Sequence, residues 1–278
     1  MNQTRLVSLR PKWPAFSAWL NKAFFAACLG IGLTLGGISL VQAVVLLRAG
    51  RAPVDFGTFY LAGRMVAQEP AAIYDVTAMQ NLVTWTDQEP SLAPFRVTKW
   101  APPYVYPPFF AVMLHTLAEQ PFPVASRLWE GLNIFWLLLS IPLLLYLSGW
   151  QERQLGGRRW LLLGLLAMLF FSPAHEVILL GQVSLLLMAL IAASLALLHH
   201  GNAWRDGLAG ALLGLAVAIK IVPVVLLVYL LLRRRWSAVA GGAAAFLATL
   251  WVGAAGAGGW PVGRLPGTTS SDIYHRLT

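Results

Sequence analysis

The sequence predicts an all-α polytopic integral membrane protein. Of its 278 residues, 58% are apolar and only 11% are charged, which excludes a water-soluble globular domain. Uncharged stretches long enough to span a bilayer, such as 23–47 and 134–149, recur along the chain. They are continuous in Leu, Ala and Gly and lack the alternation typical of a membrane barrel, so each is expected to be a helix.

The first span is predicted at 23–47, after four basic residues with no acid among them: Arg5, Arg10, Lys12 and Lys22. By the positive-inside rule, residues 1–22 are expected to form a cytoplasmic N-terminus. The apolar run exceeds the core of a signal peptide and is expected to stay as an anchor. The single cysteine, Cys28, lies within it and cannot form an intramolecular disulfide.

A long polar region, 48–106, is expected on the outer side and is the best candidate for a functional loop. It contains five basic and five acidic residues and is therefore neutral. Residues 57–68 and 76–87 are predicted to be short amphipathic helices that lie along the outer membrane face. Nine aromatic side chains suit contact with lipid headgroups: Phe56, Phe59, Tyr60, Tyr74, Trp85, Phe95, Trp100, Tyr104 and Tyr106.

Residues 107–120 decide how the remaining spans are threaded. At about 1.5 Å per residue this segment reaches only about 21 Å, short of a hydrocarbon core of roughly 30 Å, so an interfacial or re-entrant helix is predicted. Further spans are then expected at 124–148, 159–174, 183–198, 207–219, 222–232 and 236–257. Residues 23–257 thus form one transmembrane domain with seven crossings, followed by a short outer tail at 258–278. The basic clusters between these spans lie inside: Arg153, Arg158, Arg159, Arg205 and Arg233 to Arg235.

This threading brings unusual polar residues to the outer face: Asp55, the pair His175 and Glu176, Gln182, and Lys220. Ionisable groups within or at the ends of membrane helices are costly and indicate a functional site. We therefore expect these positions to share one cavity.

Each of these residues also has a purely structural interpretation. Asp55, preceded by a proline, could cap a helix, and Lys220 could be an anchor that snorkels to the interface. The flanks of Lys220 are wholly apolar, however, and a lipid phosphate is its natural partner. His175 and Glu176 follow Pro173 in a predicted helix break and could form a local interfacial pair. Gln182 could form a helix–helix hydrogen bond.

The motifs of soluble enzymes are absent from the sequence. It has no GxxxxGK[ST], no GxGxxG after a strand, no HExxH or Cys/His cluster and no GxSxG, so no metal or cofactor is expected. The net charge of +9 resides in short clusters beside apolar segments, which is a topology signal and does not predict nucleic-acid binding. The spacings of Gly32 with Gly36 and of Gly210 with Gly214 predict close helix packing.

Six features then follow one another in a recognisable order. They are Asp55-Phe56 with Tyr60 and Arg64, Ile73-Tyr74-Asp75, Tyr106-Pro107-Pro108 with the Pro121-Phe122-Pro123 turn, Gly181-Gln182-Val183-Ser184, Gly210 and Gly214 leading to Lys220-Ile221-Val222-Pro223, and Arg233-Arg234-Arg235-Trp236. This order resembles glycosyltransferase family 87, the polyprenyl-phosphate-mannose-dependent mannosyltransferase-like proteins of the C-type glycosyltransferase superfamily. The resemblance covers residues 55–236.

The resemblance implies a C-type helical bundle in the plasma (inner) membrane, with its active site in the outer loop on the extracytoplasmic side. A hexose, expected to be mannose, would pass from a polyprenyl-phosphate donor to a lipid or glycan acceptor. Asp55 matches the family's catalytic carboxylate and would act as the general base. Lys220 is the candidate cation for the donor phosphate, with Arg64 and Lys99 as helpers. The other candidate donor- or substrate-binding residues are Tyr60, Tyr106, His175, Glu176 and Gln182.

Two other classes stay open at this point. A secondary transporter or lipid-carrier translocase also keeps charges in a membrane cavity, although no inverted repeat is visible. A noncatalytic scaffold could use the aromatic loop as a docking surface. Members of the resembled family usually continue with further spans after the Arg-Arg-Arg-Trp position, whereas this chain reaches a Gly-rich tail soon after Trp251. That difference raises the hypothesis of a truncated sequence that lacks part of the donor cavity.

Overall fold

The protein is a bundle of helices, seen in a computed structural model that describes residues 13–48, 53–75, 77–78, 103–147, 171–199 and 201–256. No strand occurs within these residues. The α-helices are α1 (Trp13–Arg48), α2 (Val54–Gln68), α3 (Pro108–Ala118), α4 (Phe122–Leu147), α5 (Ser172–Leu180), α6 (Ser184–Leu198), α7 (Ala203–Ile219), α8 (Val224–Leu232) and α9 (Trp236–Gly256). A short 3-10 helix lies at Pro70–Ala72.

The predicted helical segments coincide with observed helices along most of the described chain. Helices α4, α6, α7, α8 and α9 begin and end within a few residues of their predicted bounds. Helix α1 begins at Trp13, ten residues before the predicted span. Most of the predicted span 159–174 lies outside the described residues. Helix α3 has 11 residues and is about 16 Å long, which fits a helix that does not cross the membrane.

The outer surface of the bundle is apolar. Within the described residues, helices α4 and α9 are long and apolar enough to cross a membrane. Large apolar side chains of both point away from the protein: Leu128, Leu132, Phe135 and Leu138 on α4, and Leu247 and Trp251 on α9. Such a contiguous apolar surface is unfavourable in water and is typical of a protein that contacts lipid.

Helices α7 and α9 run parallel and touch through their backbones. Gly210 faces Ala238 and Gly214 faces Gly242, and a methyl group on either α7 glycine would overlap the facing carbonyl. The close packing predicted for Gly210 and Gly214 is therefore confirmed, since only glycine allows the helices to approach this far. By contrast, nothing lies within 4 Å of where a methyl group on Gly32 would be.

The helices connect two ends of the bundle. At one end, here called the arginine end, the guanidinium of Arg235 donates to the Leu198 carbonyl at 2.8 Å and to Asp206 Oδ1 at 3.2 Å. This joins the end of α6 to the starts of α7 and α9. The opposite end, here called the site end, contains the start of α2, the turn from α5 to α6, and the ends of α7 and α9.

The aromatic residues of α2, together with Tyr104, lie in the protein core. Phe56, Phe59, Tyr60 and Tyr104 are each at most 4% exposed, so the prediction that they rest on lipid headgroups is wrong. Helix α2 begins at Val54 and packs against α3, α4 and α5, and ten of its fifteen residues are buried. The rings instead contact one another. Phe56 stacks on Trp129 with centroids 5.5 Å apart, and Phe59 meets Phe110 edge to face at 5.3 Å.

Two tyrosine hydroxyls fix the segment that leads into α3. Tyr74 Oη donates to the Tyr106 carbonyl at 2.9 Å, and Tyr104 Oη donates to the Pro107 carbonyl at 3.0 Å. The chain before residue 79 and the chain after residue 102 are thereby held together. The second predicted loop helix lies almost entirely outside the described residues, as do Trp85, Phe95, Trp100 and Lys99.

Candidate functional site

The carboxylate of Asp55 stands in the first turn of α2 and does not cap the helix. The cap position is occupied by Pro53, and no side chain bonds to the free backbone N–H groups there. The capping interpretation of Asp55 is therefore wrong. Asp55 is half-buried, and its carboxylate makes no hydrogen bond or ion pair with the described residues.

A cavity of about 370 Å³ opens at the site end, and Asp55 is not among its lining residues. Residues 105–109, residues 217–222 and the last turns of α9 form its walls. Its lining is almost entirely apolar, and the polar exceptions include the Tyr106 phenol and the Lys220 ammonium. The lining residues include Val105, Pro107, Phe109, Val217, Ile219, Val222, Phe246, Leu250 and Gly253.

Lys220 enters the cavity from the residue directly after α7. Its backbone is extended, with φ −136° and ψ 136°, and its N–H donates to the Ala216 carbonyl at 2.9 Å. Helix α7 stops here because Pro223 follows closely and cannot continue it. Among the residues that the structure describes, the Lys220 ammonium has no ion pair or hydrogen bond. A cation in an apolar cavity without an internal counter-ion is suited to an anionic ligand.

Tyr106 links the cavity to Asp55. Its ring meets Phe59 edge to face with centroids 4.9 Å apart, and it packs on Phe110 at 5.4 Å. Burial raises the pKa of Tyr106, and the nearby negative charge of Asp55 raises it further. The phenol therefore stays protonated at neutral pH and is available as a donor, since its hydroxyl bonds to none of the described residues. The cavity lining thus includes a neutral donor and a cation, and a carboxylate lies near the donor.

The turn between α5 and α6 supports the start of α2. Gly181 has a left-handed backbone, with φ 71°, and packs directly against Pro53 and Phe56. Its carbonyl accepts a hydrogen bond of 2.7 Å from Trp129 Nε1. The side chain of Gln182 accepts a bond from Ser184 Oγ at 3.4 Å. The Gly181-Gln182 turn therefore packs against the residues on either side of Val54 and Asp55, whereas of the polar residues expected to share one cavity only Lys220 lines it.

Trp129 and Asn133 were not identified by sequence reasoning, although they hold this turn in place. Asn133 is 1% exposed on α4. In the amide orientation that suits both neighbours, it donates to the Gln182 carbonyl at 3.0 Å and accepts from Trp129 Nε1 at 3.0 Å. The available signal was an asparagine within an apolar helix, because a buried amide there needs partners.

His175 and Glu176 lie away from the cavity. Pro173 stands in the first turn of α5, which begins at Ser172 after the extended backbone of Phe171, so both residues lie inside a helix shortly after its start. His175 is buried, and its Nδ1 is 3.0 Å from Ser39 Oγ of α1, while Glu176 is exposed. The histidine therefore helps to join α5 to α1.

Arg64 and Tyr60 form a separate cluster. Arg64 follows Asp55 by nine residues, which is about 13 Å along the helix and on its opposite side. Its guanidinium lies over the Tyr60 ring, 5.9 Å from the centroid, and one nitrogen is 3.4 Å from Tyr60 Oη. Tyr60 Oη in turn donates to the Gln120 carbonyl at 2.9 Å. Neither residue lines the cavity.

The part of the chain described by the structure contains no group of three or more His, Cys, Asp or Glu side chains that could hold a metal ion. The cavity itself offers a phenol and an ammonium, and the Asp55 carboxylate lies near that phenol. Such a set can accept a proton, donate a hydrogen bond and neutralise an anion.

Comparisons with known proteins give one consistent answer. The model of glycosyltransferase family 87 matches residues 104–270, more than half of the chain. A polyprenol-phosphate-mannose-dependent alpha-(1-2)-phosphatidylinositol pentamannoside mannosyltransferase of Mycolicibacterium smegmatis is 32% identical over 193 residues, 69% of this chain and 41% of the relative. A protein of the same description from Mycobacterium tuberculosis is 27% identical over 193 residues, 69% of this chain and 39% of that relative.

A third relative shares less of the chain. A polyprenol-phosphate-mannose-dependent alpha-(1-2)-phosphatidylinositol mannoside mannosyltransferase of Mycolicibacterium smegmatis is 30% identical over 141 residues, 48% of this chain and 31% of its own length. The matched part of the chain thus corresponds to less than half the length of these curated relatives. No solved structure matches the chain.

Proposed function

Since the chain belongs to glycosyltransferase family 87, we propose that it is a membrane mannosyltransferase that uses a polyprenyl-phosphate-linked donor. The acceptor is a lipid or glycan on the extracytoplasmic side, and a glycolipid related to phosphatidylinositol mannosides is the leading candidate, because the relatives act on such acceptors. Membership of this family favours transfer over the transporter, translocase and scaffold alternatives. The plasma (inner) membrane is the expected location, with residues 23–257 as the membrane domain.

The observation that carries this proposal is that Tyr106 and Lys220 line one apolar cavity and that Asp55 lies near Tyr106. A polyprenyl-phosphate sugar has an apolar chain, an anionic phosphate and a polar sugar. The cavity offers apolar walls for the chain and an unpaired ammonium for the phosphate. The half-buried carboxylate lies beyond Tyr106, where the acceptor hydroxyl would approach.

The reaction proposed is an inverting transfer. The carboxylate of Asp55 takes the proton of the acceptor hydroxyl as the acceptor oxygen forms a bond to C1 of the sugar. The bond from C1 to the phosphate oxygen breaks, and the polyprenyl phosphate leaves with that electron pair. Lys220 pairs with the growing negative charge of the phosphate, and the Tyr106 phenol donates a hydrogen bond to the donor. No metal takes part in this scheme.

The other candidate residues have supporting parts in this proposal. Gln182 lies beside Asp55 through the Gly181 turn and remains a candidate sugar contact. Arg64, Tyr60, His175 and Glu176 are distant from the cavity lining, so we assign them to holding α2, α3 and α5 in place. Lys99 remains a candidate helper for the phosphate from the outer loop 48–106.

The proposal is tested by transfer of labelled mannose from polyprenyl-phosphate mannose to a phosphatidylinositol mannoside, with the 278-residue chain in nanodiscs. The Asp55→Asn variant should lose at least about a hundredfold in turnover, the usual scale for a lost general base. Asp75→Asn is the matched control, because Asp75 Oδ1 only accepts hydrogen bonds from the Thr77 and Ala78 N–H groups, which an asparagine oxygen can replace. If Asp55→Asn keeps full activity, Asp55 is not the general base. If the parent chain transfers no mannose, the proposed function is wrong.

A further inference from the structure

Two tryptophans and three arginines are exposed together at the arginine end of the bundle. Trp204 is 77% exposed and Trp236 is 63% exposed. Arg205, Arg233 and Arg234 are exposed as well. We call these five residues the arginine–tryptophan patch. The proposed reaction uses none of them, because they lie at the opposite end from the cavity.

The fold gathers these residues from different helices. Trp204 and Arg205 lie in the first turn of α7, Arg233 and Arg234 follow α8, and Trp236 begins α9. The ion pair of Arg235 with Asp206, at 3.2 Å, holds the starts of α7 and α9 side by side. It also neutralises the nearby carboxylate. Among the described residues, the three arginines of the patch have no ion pair, so the patch keeps three positive charges.

The local backbone does not favour arginine at two of these positions. Arg234 has φ 55°, the left-handed conformation in which a non-glycine residue is uncommon. It stands just past α8, where the Arg235 N–H closes back to the Leu230 carbonyl at 3.0 Å, and glycine is the usual residue at this position of a helix end. Arg205 lies in the first turn of α7, where the helix dipole repels a cation.

An external anion explains why cations are kept at these positions. The neighbouring apolar faces of α4 and α9 are suited to lipid tails, so the anion nearest to this end of the bundle is the phosphate of a membrane lipid. Guanidinium groups pair with phosphate through two parallel hydrogen bonds, and tryptophan rings are enriched at the level of the headgroups.

We propose that the arginine–tryptophan patch is a binding site for the headgroups of acidic phospholipids in the adjacent leaflet. The guanidinium groups of Arg205, Arg233 and Arg234 contact the phosphates, and the rings of Trp204 and Trp236 lie at the boundary between headgroups and acyl chains. This site is independent of the proposed transferase activity, because it holds structural lipid and does not contact the donor.

The test compares the 278-residue chain in nanodiscs of phosphatidylcholine alone with nanodiscs that also contain phosphatidylglycerol. Thermal unfolding is measured in both, and native mass spectrometry counts the acidic lipids that stay bound. We expect phosphatidylglycerol to raise the unfolding temperature of the parent chain and to be retained, with an effect that weakens as salt is added. Removal of one arginine should lower retention about fivefold, the scale of one arginine near an anionic surface.

Arg234→Gly is the sharpest variant, because glycine relieves the left-handed backbone at this position. In phosphatidylcholine this variant should be as stable as the parent or more stable. The rise in unfolding temperature that phosphatidylglycerol causes, here called the gain, should be smaller for the variant than for the parent. Arg127→Gln is the charge-matched control: Arg127 is exposed near the start of α4, at the site end, and its replacement should leave the gain unchanged. The inference is overturned if phosphatidylglycerol neither stabilises the parent nor stays bound, or if Arg127→Gln and Arg234→Gly reduce the gain equally.

Discussion

Gly181 packs so closely against Phe56 that a β-carbon on Gly181 would lie 2.6 Å from the β-carbon of Phe56. Two parts of the chain that are far apart in sequence are thereby brought into contact, namely the start of α2 and the turn before α6. Phe56 directly follows Asp55, so the position of the carboxylate depends on this contact. The Trp129 indole fixes the other side of the turn through its bond to the Gly181 carbonyl.

Replacement of Gly181 by alanine should both destabilise the protein and displace Asp55. The left-handed backbone alone costs an alanine about 1 to 2 kcal/mol, and the contact with Phe56 adds to this. Gly201→Ala is the matched control, because Gly201 has φ 64° but nothing within 4 Å of its β-carbon position. Thermal unfolding in nanodiscs should fall further for Gly181→Ala than for Gly201→Ala, and mannosyl transfer should fall only for Gly181→Ala. Equal effects of the two variants would show that the contact with Phe56 is unimportant.

Lys220→Gln should weaken binding of the donor and slow the transfer. Loss of hydrogen bonds to a charged phosphate corresponds to about a ten- to hundredfold lower affinity. Lys220→Arg should keep part of the binding, because arginine also pairs with phosphate although its planar group has another geometry. Donor binding is measured with polyprenyl-phosphate mannose in nanodiscs, and folding is checked by size-exclusion chromatography. A folded Lys220→Gln variant that binds the donor as well as the parent would leave Lys220 as an interfacial anchor.

Tyr106→Phe should lower the affinity for the donor by about three- to tenfold and leave the stability unchanged. The reason is that the Tyr106 hydroxyl faces the cavity and bonds to none of the described residues. Tyr104→Phe should give the opposite result, because its hydroxyl bonds to the Pro107 carbonyl and is buried. That variant should lose about 1 kcal/mol of stability. The pair is compared by thermal unfolding and by titration with the donor, and a loss of stability in Tyr106→Phe would indicate a structural role.

Single cysteines should report which side of the membrane each end of the bundle faces. In a Cys28→Ser background, Glu119→Cys should react with a membrane-impermeant thiol reagent in intact cells, because it precedes the start of α4 at the site end. Ala203→Cys lies at the arginine end and should react only after the cells are opened. Both positions are exposed, so access through the protein does not limit the reaction. The reverse labelling pattern would show that the predicted orientation in the membrane is wrong.

Much of the helical architecture follows from the sequence, because continuous apolar runs of membrane-spanning length have few alternatives to a helix. The bounds of α4, α6, α7, α8 and α9 were predicted within a few residues. The contact between α7 and α9 could be predicted from Gly210 and Gly214, since only small residues let helix backbones touch. Asp55 and Lys220 were identified because charged groups beside apolar helices are costly and rarely kept without a use.

What lies next to Asp55 was decided by the tertiary structure. The aromatic residues of α2 have an equally good sequence pattern for a membrane surface and for a core, and only the packing of α3, α4 and α5 against α2 buries Phe56, Phe59 and Tyr60. For the same reason His175 contacts Ser39 of α1, and Tyr106 both lines the cavity and lies near Asp55. The type of each residue, which the sequence gives directly, sets its cost of burial and its hydrogen-bonding capacity. Which partner meets that capacity depends on contacts between residues that are tens of positions apart, and local patterns do not encode those contacts.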